Sequence, residues 1–399
     1  MLDNQRKIEK RLLSTLHIFH KRYLFDTINF SAQMIAIVGS RGVGKTTLLL
    51  QHLKELKEKY ELHKSLYFSY DHPSCVDVNL YNLAEEFSSI GGEYLLIDEI
   101  HKYENFAQDL KAVYDFLPNL KVLFSGSCAS SIYNAQADLS RRVVLYTMKG
   151  LSYREFLEIK LNTKLQSYTL ENLLKNSISI VDAISKKLIP LEYFKEYLEQ
   201  GYYPFYFHDK ESYLQLLNAV VNLTIDVDFV SLGLIKPNYT NKLKQLLNIL
   251  CYSKPFELNI TKVASNVGVS RNTLYAYLQH LDKGALLNIV YSNKKGLSAL
   301  SKPEKLYLNN TNLFYTLCDD VEVGTLRETF FVNQLKLDHE INTTKNGDFK
   351  VDDKFFFEVG GKSKSFKQIK DVENSYLVID TDDTQNDKKI PLWLFGFLY

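Results

Sequence analysis

Short apolar runs alternate with helical patterns over the first 150 residues of the chain. The runs that predict β-strands are Met34–Val38, Ser65–Phe68, Tyr94–Ile97, Lys121–Phe124 and Arg142–Tyr146. Between these runs, apolar side chains recur at helical spacing, as in the leucines that follow residue 48. Because strands that alternate with helices form parallel sheets covered by helices, the pattern predicts an α/β domain built on a parallel sheet.

Helical periodicity dominates the next segment, residues 151–240. The pattern predicts the helices Tyr153–Lys160, Leu191–Gln200 and Glu211–Asp228. A Gly-Tyr-Tyr-Pro break at residues 201–204 separates the second helix from the third. We interpret this segment as a helical lid and connector.

Residues 241–300 have the pattern of a winged helix. Lys242–Leu250 predicts an amphipathic helix, and a short helix and a turn at Gly268 then lead into a second helix, Arg271–Leu281. Leu286–Tyr291 and the polar residues after it predict the wing. The side chains suited to phosphates and base edges are Arg271, Asn272, Thr273, Lys294 and Lys295. Winged helices also dock proteins, and this helix carries one arginine among tyrosines and leucines, so DNA and protein remain alternative partners.

The final segment, residues 301–399, alternates apolar strands with polar turns around one predicted helix, Thr325–Leu337. The predicted strands are Lys305–Leu308, Phe349–Val351, Phe355–Val359, Tyr376–Ile379 and Leu392–Leu398. This order predicts a terminal α/β domain.

The composition is that of a globular protein, with 45% hydrophobic and 24% charged residues. A formal net charge of +1 means that any surface for nucleic acid or membrane must be local. No apolar run approaches the length of about 18 residues that a spanning helix needs. The four cysteines lie far apart without C-x-x-C spacing, which argues against zinc and against a disulfide framework. We therefore expect a cytoplasmic protein with no membrane partner.

The most specific chemistry follows the first predicted strand, where residues 39–46 read Gly-Ser-Arg-Gly-Val-Gly-Lys-Thr before a leucine-rich helix. That order is the phosphate-binding P-loop, in which glycines let successive backbone amides point at phosphate oxygens. Lys45 would reach the β- and γ-phosphates, and the Thr46 hydroxyl would bind Mg²⁺. The expected nucleotide-binding residues are Gly39, Ser40, Arg41, Gly42, Val43, Gly44, Lys45, Thr46 and Thr47. No guanine-reading motif is evident, so ATP with Mg²⁺ is the expected ligand.

Two adjacent carboxylates, Asp98 and Glu99, end the third predicted strand. Asp98 lies where a Walker B aspartate would hold Mg²⁺ together with Thr46. Glu99 would orient or deprotonate the attacking water. Adjacent Asp-Glu is the arrangement of P-loop ATPases that hydrolyse their nucleotide, so we expect Glu99 and Lys45 to be catalytic.

Two further residues are candidates for contact with the γ-phosphate. Ser125 ends the fourth predicted strand, although a Ser-Gly turn at a strand end is nearly as good a reading. Arg142 opens the fifth strand and would reach a phosphate in its own chain or across a subunit boundary. An ordinary solvated arginine pair is the alternative interpretation of Arg141 and Arg142.

Together these motifs and the Leu-Ser-Tyr-Arg-Glu-Phe segment at residues 151–156 resemble a family of bacterial and archaeal AAA-type ATPases. The members of that family carry a C-terminal region named domain of unknown function 4143. The resemblance covers nearly the whole chain in the same order. It implies an ATPase core (1–150), a helical lid and connector (151–240), a winged helix (241–300) and a nuclease-like domain (301–399).

Three carboxylates of the terminal segment, Glu328, Asp348 and Glu358, fall where the PD-(D/E)-x-K nuclease fold places its metal-binding acids. The lysine expected two residues after the last acid is missing, because that position is Gly360. Lys362 would substitute for it only if the di-glycine turn folds the chain back. We therefore expect a nuclease-like fold that does not cleave DNA.

Three functions stay open at this level. The favoured one is an ATP-hydrolysing switch or motor that couples nucleotide state to a DNA- or protein-binding winged helix. The second is an ATP-gated DNA-processing nuclease, and the third is a protein-interaction switch without DNA contact. An oligomer is compatible with all three.

Overall fold

A computed structural model describes residues 2–16, 20–126, 139, 141–252, 259–292, 303–382 and 386–399. The chain divides into two compact units, Met1–Gly150 and Leu151–Tyr399. A five-stranded sheet lies in the first unit and a seven-stranded sheet in the second.

The parallel sheet predicted from the sequence forms the centre of the first unit. Its strands are β1 (Met34–Val38), β2 (Ser65–Ser69), β3 (Tyr94–Asp98), β4 (Lys121–Gly126) and β5 (Val144–Thr147). Their order across the sheet is β2-β3-β4-β1-β5, and every neighbouring pair is parallel. All five carboxyl ends therefore lie along one side of the sheet, which we call the carboxyl edge.

The helices of the first unit are α1 (Leu2–Thr15), α2 (Tyr23–Thr27), α3 (Lys45–Lys59), α4 (Leu80–Ser89) and α5 (Phe106–Phe116). Every residue of β1 is buried, so the strand that leads into the P-loop lies in the core. Leucines of α4 and α5 pack in one cluster with apolar residues from β1 to β4. Each fully buried leucine or phenylalanine contributes about 1.5–3 kcal/mol to folding, so the carboxyl edge rests on a stable scaffold.

The second unit begins with helices, as the sequence pattern predicts for residues 151–240. They are α6 (Tyr153–Leu161), α7 (Leu170–Lys175), α8 (Ser177–Ser185), α9 (Pro190–Gln200) and α10 (Tyr213–Leu223). A π-helical turn, Thr224–Asp228, continues α10 into Phe229–Ser231. Among the described residues, the helical stretch Tyr213–Ser231 is long and apolar enough to cross a membrane by length and composition, a test that core helices of soluble proteins also pass.

Residues 151–156, the Leu-Ser-Tyr-Arg-Glu-Phe segment, begin α6 with a capping box. The Ser152 hydroxyl accepts from the Glu155 amide, and the Glu155 carboxylate accepts from the Ser152 amide. Ser152 Oγ and Arg154 Nε also donate to the Tyr399 carbonyl at 2.8 and 3.0 Å. The segment thus joins the first and last residues of the second unit.

Three helices and a hairpin follow in the region where the sequence predicts a winged helix. They are α11 (Thr240–Cys251), α12 (Ile260–Val267), α13 (Arg271–Lys283), β6 (Leu287–Ser292) and the antiparallel β7 (Pro303–Leu308). Gly268 adopts a left-handed conformation (φ 67°) between α12 and α13, and Ser270 caps α13 through the Thr273 amide. Lys294 and Lys295 lie outside the described residues.

The hairpin belongs to the same sheet as the terminal segment. The other strands are β8 (Ile341–Thr343), β9 (Phe349–Val351), β10 (Phe355–Gly360), β11 (Ser375–Ile379) and β12 (Lys389–Pro391). The order is β12-β11-β10-β9-β8-β6-β7, and α14 (Asn312–Leu317) and α15 (Val323–Leu335) follow β7. Residues 392–397, which the sequence pattern predicts to be a strand, form a 3₁₀ helix of fully buried side chains instead.

The cysteine spacing argues against a disulfide framework, but one pair of cysteines is bonded. Cys251 and Cys318 form a disulfide with their Cα atoms 5.3 Å apart, although 67 positions separate them in sequence. The fold brings the end of α11 next to the residue after α14, a tertiary contact that cysteine spacing does not reveal. Cys75 is free and buried.

Candidate nucleotide-binding site

The P-loop connects β1 to α3, and its glycines are required by its backbone. Gly42 and Gly44 have φ angles of 80° and 102°, in the left-handed region that glycine occupies without strain. A Cβ atom on Gly39 would lie 2.2 Å from the Met148 carbonyl oxygen, so only glycine fits there. The structure therefore shows a tight turn at the carboxyl edge, formed by the residues that the sequence assigns to phosphate binding.

Lys45 begins α3 and turns its ammonium group back over the loop. Its Nζ donates to the carbonyls of Gly39 and Ser40 at 2.9 and 3.0 Å, and the side chain is buried. The ammonium group lies inside the turn that the sequence assigns to phosphate. Arg41 is half-buried in the loop and Thr47 is exposed in the first turn of α3.

Arg22 also contacts the P-loop. The sequence analysis did not select this residue. This buried guanidinium donates to the Val43 carbonyl at 2.6 Å, and to the carbonyls of Lys149 and Gly150 at 2.8 Å each. Arg22 lies 17 positions before Gly39 and after no strand, so no local motif marks it.

Thr46 and Asp98, the two expected Mg²⁺ ligands, are in direct contact. Thr46 Oγ1 donates to Asp98 Oδ2 at 2.7 Å, and Asp98 is 3% exposed. A hydroxyl and a carboxylate beside a phosphate-binding loop are the oxygen ligands that Mg²⁺ prefers, so the residues present fit this ion.

Ser125 links the Asp98 carboxylate, at the end of β3, to the backbone of Glu99, the next residue. Its hydroxyl donates to Asp98 Oδ1 and accepts from the Glu99 amide at 3.0 Å. β4 lies between β3 and the P-loop strand β1, which brings Ser125 to this position. The structure therefore places Ser125 beside Asp98 and Glu99, and its contact with the γ-phosphate stays a prediction.

Glu99 has a left-handed backbone conformation with φ 52°, which is uncommon for a residue with a side chain and costs about 1 kcal/mol or more. The conformation turns the chain sharply after Asp98, and the Glu99 side chain is 13% exposed. Glu99 Oε2 lies 3.3 Å from His101 Nδ1. His101, which the sequence analysis did not select, therefore lies beside the carboxylate expected to act on water.

Tyr67 is a third residue that the sequence analysis missed. Its hydroxyl donates to Asp98 Oδ2 at 2.9 Å from the neighbouring strand β2. Burial, together with the charge of Asp98, raises the pKa of Tyr67 far above its usual value, so the phenol remains a neutral donor. A tyrosine between the leucine and phenylalanine of a predicted strand was the available signal, but strand tyrosines are common in cores.

Arg142 lies at the opposite end of the strands from the P-loop. The expectation that it reaches a phosphate bound by its own chain is therefore wrong. Residues of β5 pair with β1 from Ile35 onward, so Arg142 lies at the amino ends of the strands, opposite the carboxyl edge. Its guanidinium binds both carboxylate oxygens of Asp115 at 3.0 and 3.1 Å. Contact with a phosphate across a subunit boundary stays a prediction.

The three acids of the terminal segment converge, but around lysines. Lys305 is completely buried, and its Nζ lies 3.1 Å from Glu328 Oε2 and 3.8 Å from Asp348 Oδ1. Lys364 Nζ lies 2.7 Å from Glu358 Oε1 and 4.0 Å from Asp348 Oδ2. We call these five residues the acid–lysine cluster.

The lysine expected beside Glu358 was assigned to the wrong position. Lys362 is exposed, whereas the turn after β10 carries Lys364 back to Glu358. Burial raises the pKa of Glu328 and of Glu358, and the neighbouring lysines act against that shift. Among the described residues, no group of three or more His, Cys, Asp or Glu side chains is arranged to hold a metal ion.

Replacement of Lys305 by methionine is expected to lower the free energy of unfolding by about 3–5 kcal/mol, because it leaves buried carboxylates without their cation. Urea denaturation of the full chain measures the change. Lys354→Met is the matched control, because Lys354 pairs with Glu171 while both side chains are more than half exposed, at 52% and 72%. Equal stability of the two variants would contradict the assignment of a buried ion cluster.

Comparison with known proteins gives a family for part of each unit. Residues 31–157 match the AAA domain family, and residues 191–323 match the domain of unknown function DUF8612. The second match is to a different family from the 4143 group, so that part of the resemblance stays a prediction. The uncharacterized protein MJ1637 of Methanocaldococcus jannaschii is 27% identical over 346 residues, covering 79% of this chain and 72% of that protein.

Similar solved structures are more distant. AMPPCP-bound DnaA from Aquifex aeolicus is 14% identical with a TM-score of 0.25, covering 69% of this chain and 86% of that chain. C. elegans PCH-2 is 16% identical with a TM-score of 0.22, covering 71% and 68%. TM-scores of this size do not establish a shared overall fold. The match of residues 31–157 to the AAA domain family and the P-loop geometry support an AAA-type P-loop nucleotide-binding site in the first unit.

Proposed function

We propose that the first unit binds ATP with Mg²⁺ and hydrolyses it, and that its nucleotide state regulates a winged helix in the second unit. The observation that carries the ATPase part is the hydroxyl-carboxylate arrangement at the carboxyl edge. Thr46 contacts Asp98 at 2.7 Å, and Ser125 joins Asp98 to the Glu99 backbone. Phosphate ligand, metal ligand and base candidates thus share one site.

Each residue has a separate task in the proposed reaction. The P-loop amides and Lys45 bind the phosphates, which lowers the energy of the charge that develops during transfer. Thr46 and Asp98 would hold Mg²⁺, which neutralises phosphate charge when bound. Glu99 accepts a hydrogen bond from the attacking water and orients it, while His101 sets the position of that carboxylate. Ser125 holds the Asp98 carboxylate and the Glu99 backbone in fixed positions relative to each other.

The arrangement of residues 240–308 supports the winged-helix part of the proposal. Three helices precede an antiparallel hairpin, and α13 follows α12 through the turn at Gly268. Arg271 and Asn272 are exposed at the start of α13, where a recognition helix contacts DNA. A protein-docking role remains the alternative, since the exposed part of this helix carries few cations.

A mobility-shift titration separates these two partners. The full chain is mixed with duplex DNA, with and without a non-hydrolysable ATP analogue, over a range of salt concentrations. DNA contact gives a shift that weakens steeply with salt, because phosphate contacts release counterions. No shift at low salt in either nucleotide state would exclude DNA and leave protein docking. Sequencing the nucleic acid and identifying the proteins that co-purify then names the target.

A nuclease is the second candidate, and one contact favours it. Lys364 lies 2.7 Å from Glu358, which supplies the cation that Gly360 cannot. Against this reading, Lys305 and Lys364 already engage all three acids, which leaves only one negative charge unbalanced. The acid–lysine cluster therefore resembles a satisfied ion network more closely than an open metal site.

We accordingly expect the chain to leave supercoiled plasmid, linear duplex and single-stranded DNA intact in the presence of Mg²⁺ or Mn²⁺, with or without ATP. Gel electrophoresis after prolonged incubation measures this. Cleavage that disappears in Asp348→Ala and in Lys364→Ala would overturn the prediction, and Lys362→Ala is the matched control from the same turn.

The proposal includes a cytoplasmic location, where ATP is abundant. Subcellular fractionation with an antibody against the chain tests that location. The oligomeric state is accessible to light scattering with and without nucleotide.

A further inference from the structure

The N-terminal helix α1 lies along β2, one of the two edge strands of the parallel sheet. β2 is an edge strand, and an uncovered edge strand leaves backbone groups without partners. The Arg6 guanidinium donates to the Ser65 carbonyl at 2.8 Å, and Glu9 Oε2 accepts from the Tyr67 amide at 3.0 Å. Two side chains one turn apart on α1 thus satisfy alternate residues of β2.

Glu9 connects the edge strand β2 to α3, the helix that begins at the P-loop. Its carboxylate is 3% exposed, and Oε1 lies 2.6 Å from Lys57 Nζ on α3. The same side chain therefore holds β2 through Tyr67 and α3 through Lys57. α1 lies before residue 31, where the AAA domain match begins.

The Tyr67 side chain points from this anchored position to the carboxylate of the site. Its hydroxyl is 2.9 Å from Asp98 Oδ2, the oxygen that also accepts from Thr46. Asp98 Oδ1 accepts from Ser125. Three hydroxyls therefore fix the orientation of one buried carboxylate.

These three hydroxyls differ in what else they do. Thr46 is itself an expected metal ligand, so its contact with Asp98 is not reserved for holding that carboxylate. Ser125 also accepts from the Glu99 amide. Within the described part of the site, Tyr67 is the donor to Asp98 that is neither an expected metal ligand nor a partner of the Glu99 amide, and its hydroxyl also interacts with Ser69 of its own strand. A hydrogen bond to a carboxylate is among the stronger protein hydrogen bonds, so its loss frees the side chain to rotate.

We infer that Tyr67 is a positioning residue that orients Asp98 for Mg²⁺, and that α1 sets Tyr67 in place through Glu9. The inference rests on the proposed function, because it concerns metal-assisted nucleotide binding. It adds a determinant outside the P-loop and Walker B motifs. It also means that the N-terminal helix affects Mg²⁺-dependent nucleotide binding, although in this scheme it acts through Tyr67 and not through the P-loop residues.

The test is calorimetric titration of the full chain with a non-hydrolysable ATP analogue, once with Mg²⁺ and once with a chelator. Tyr67→Phe removes the hydroxyl alone. We expect the ratio of the two affinities to fall about tenfold, as for loss of one charge-assisted hydrogen bond, with the chelator value unchanged. Glu9→Ala removes the acceptor of the Tyr67 amide and is expected to lower the ratio in the same direction by a smaller factor.

Tyr70→Phe is the matched control. Tyr70 directly follows β2, is 2% exposed, and donates its hydroxyl to the Val78 carbonyl at 3.0 Å, away from Asp98. A structural loss common to buried tyrosines would change both variants alike, whereas the inference expects Tyr70→Phe to keep the wild-type ratio. Thermal unfolding of each variant confirms that it is folded at the titration temperature, and Glu9→Ala carries the test if Tyr67→Phe is not.

The outcomes separate this inference from the proposed function. A wild-type ratio in both Tyr67→Phe and Glu9→Ala overturns the inference while nucleotide binding stands. An equal fall in Tyr67→Phe and Tyr70→Phe also overturns it. Wild-type protein that binds no nucleotide under either condition overturns the proposed function, and the inference with it.

Discussion

Replacement of Lys45 by alanine is expected to remove most nucleotide binding by the first unit. The Lys45 ammonium is buried inside the P-loop, 2.9 and 3.0 Å from the carbonyls of Gly39 and Ser40, in the space that the loop offers to phosphate. Its loss takes the positive charge from that space and leaves the amides alone to face a polyanion. Wild-type protein at 100-fold excess over Kd gains about 2.7 kcal/mol of stability from the ligand, and the variant is expected to lose most of that gain.

Titration calorimetry and thermal unfolding with Mg²⁺ and ATP measure this effect. Lys54→Ala is the matched control, because Lys54 is exposed on the same helix α3 and lies away from the loop. The control is expected to keep the wild-type affinity. Equal ATP affinity of wild type and Lys45→Ala would show that the P-loop assignment is wrong.

The second large effect is expected from Glu99→Gln, which retains ATP affinity but loses turnover by about 10²-fold or more. The amide keeps the size of the carboxylate but cannot accept the proton of the attacking water. Glu99 follows Asp98 directly, and its backbone is tied to Ser125. The change therefore leaves the phosphate and metal ligands in place.

Phosphate release in a single turnover, with enzyme in excess over ATP, measures this loss independently of product release. Glu93→Gln is the control, since Glu93 precedes the same strand at its amino end and pairs with Lys64 at 2.6 Å. Hydrolysis by Glu99→Gln at the wild-type rate would remove Glu99 from the proposed chemistry.

Local sequence patterns were sufficient for the first unit's architecture. The predicted strands lie near the observed bounds of β1 to β5 because apolar runs are features of consecutive residues. The Gly-Lys-Thr sequence of the P-loop is also a local feature. The proximity of Asp98 and Ser125 to the P-loop could be predicted because parallel strands bring their carboxyl ends to one edge, while the roles of these residues stay predictions.

The residues that sequence reasoning missed act over long distances in the chain. Arg22 contacts Gly150, and Glu9 contacts the Tyr67 backbone 58 positions away. Lys305 meets Asp348 only because the hairpin and the terminal strands share one sheet. No single-sequence pattern specifies such pairs, because each depends on the packed fold.

The errors have the same origin. The disulfide between Cys251 and Cys318 depends on how α11 and α14 lie in the second unit, and the turn after β10 selects Lys364 over Lys362. Arg142 was assigned to the nucleotide by its position in the chain, but strand direction puts it at the far end of the sheet. The sequence therefore shows which strand or turn carries a residue more reliably than it shows which other residues lie near it in the folded protein.

Hydrogen exchange of the full chain, with and without Mg²⁺ and a non-hydrolysable ATP analogue, shows whether the P-loop binds nucleotide. Exchange reports protection of individual backbone amides, and the amides of residues 39–47 are the groups expected to bind phosphate. We expect slower exchange across residues 39–47 when nucleotide is bound, together with a changed rate in α12 or α13. Unchanged exchange at residues 39–47 under saturating nucleotide would contradict this expectation.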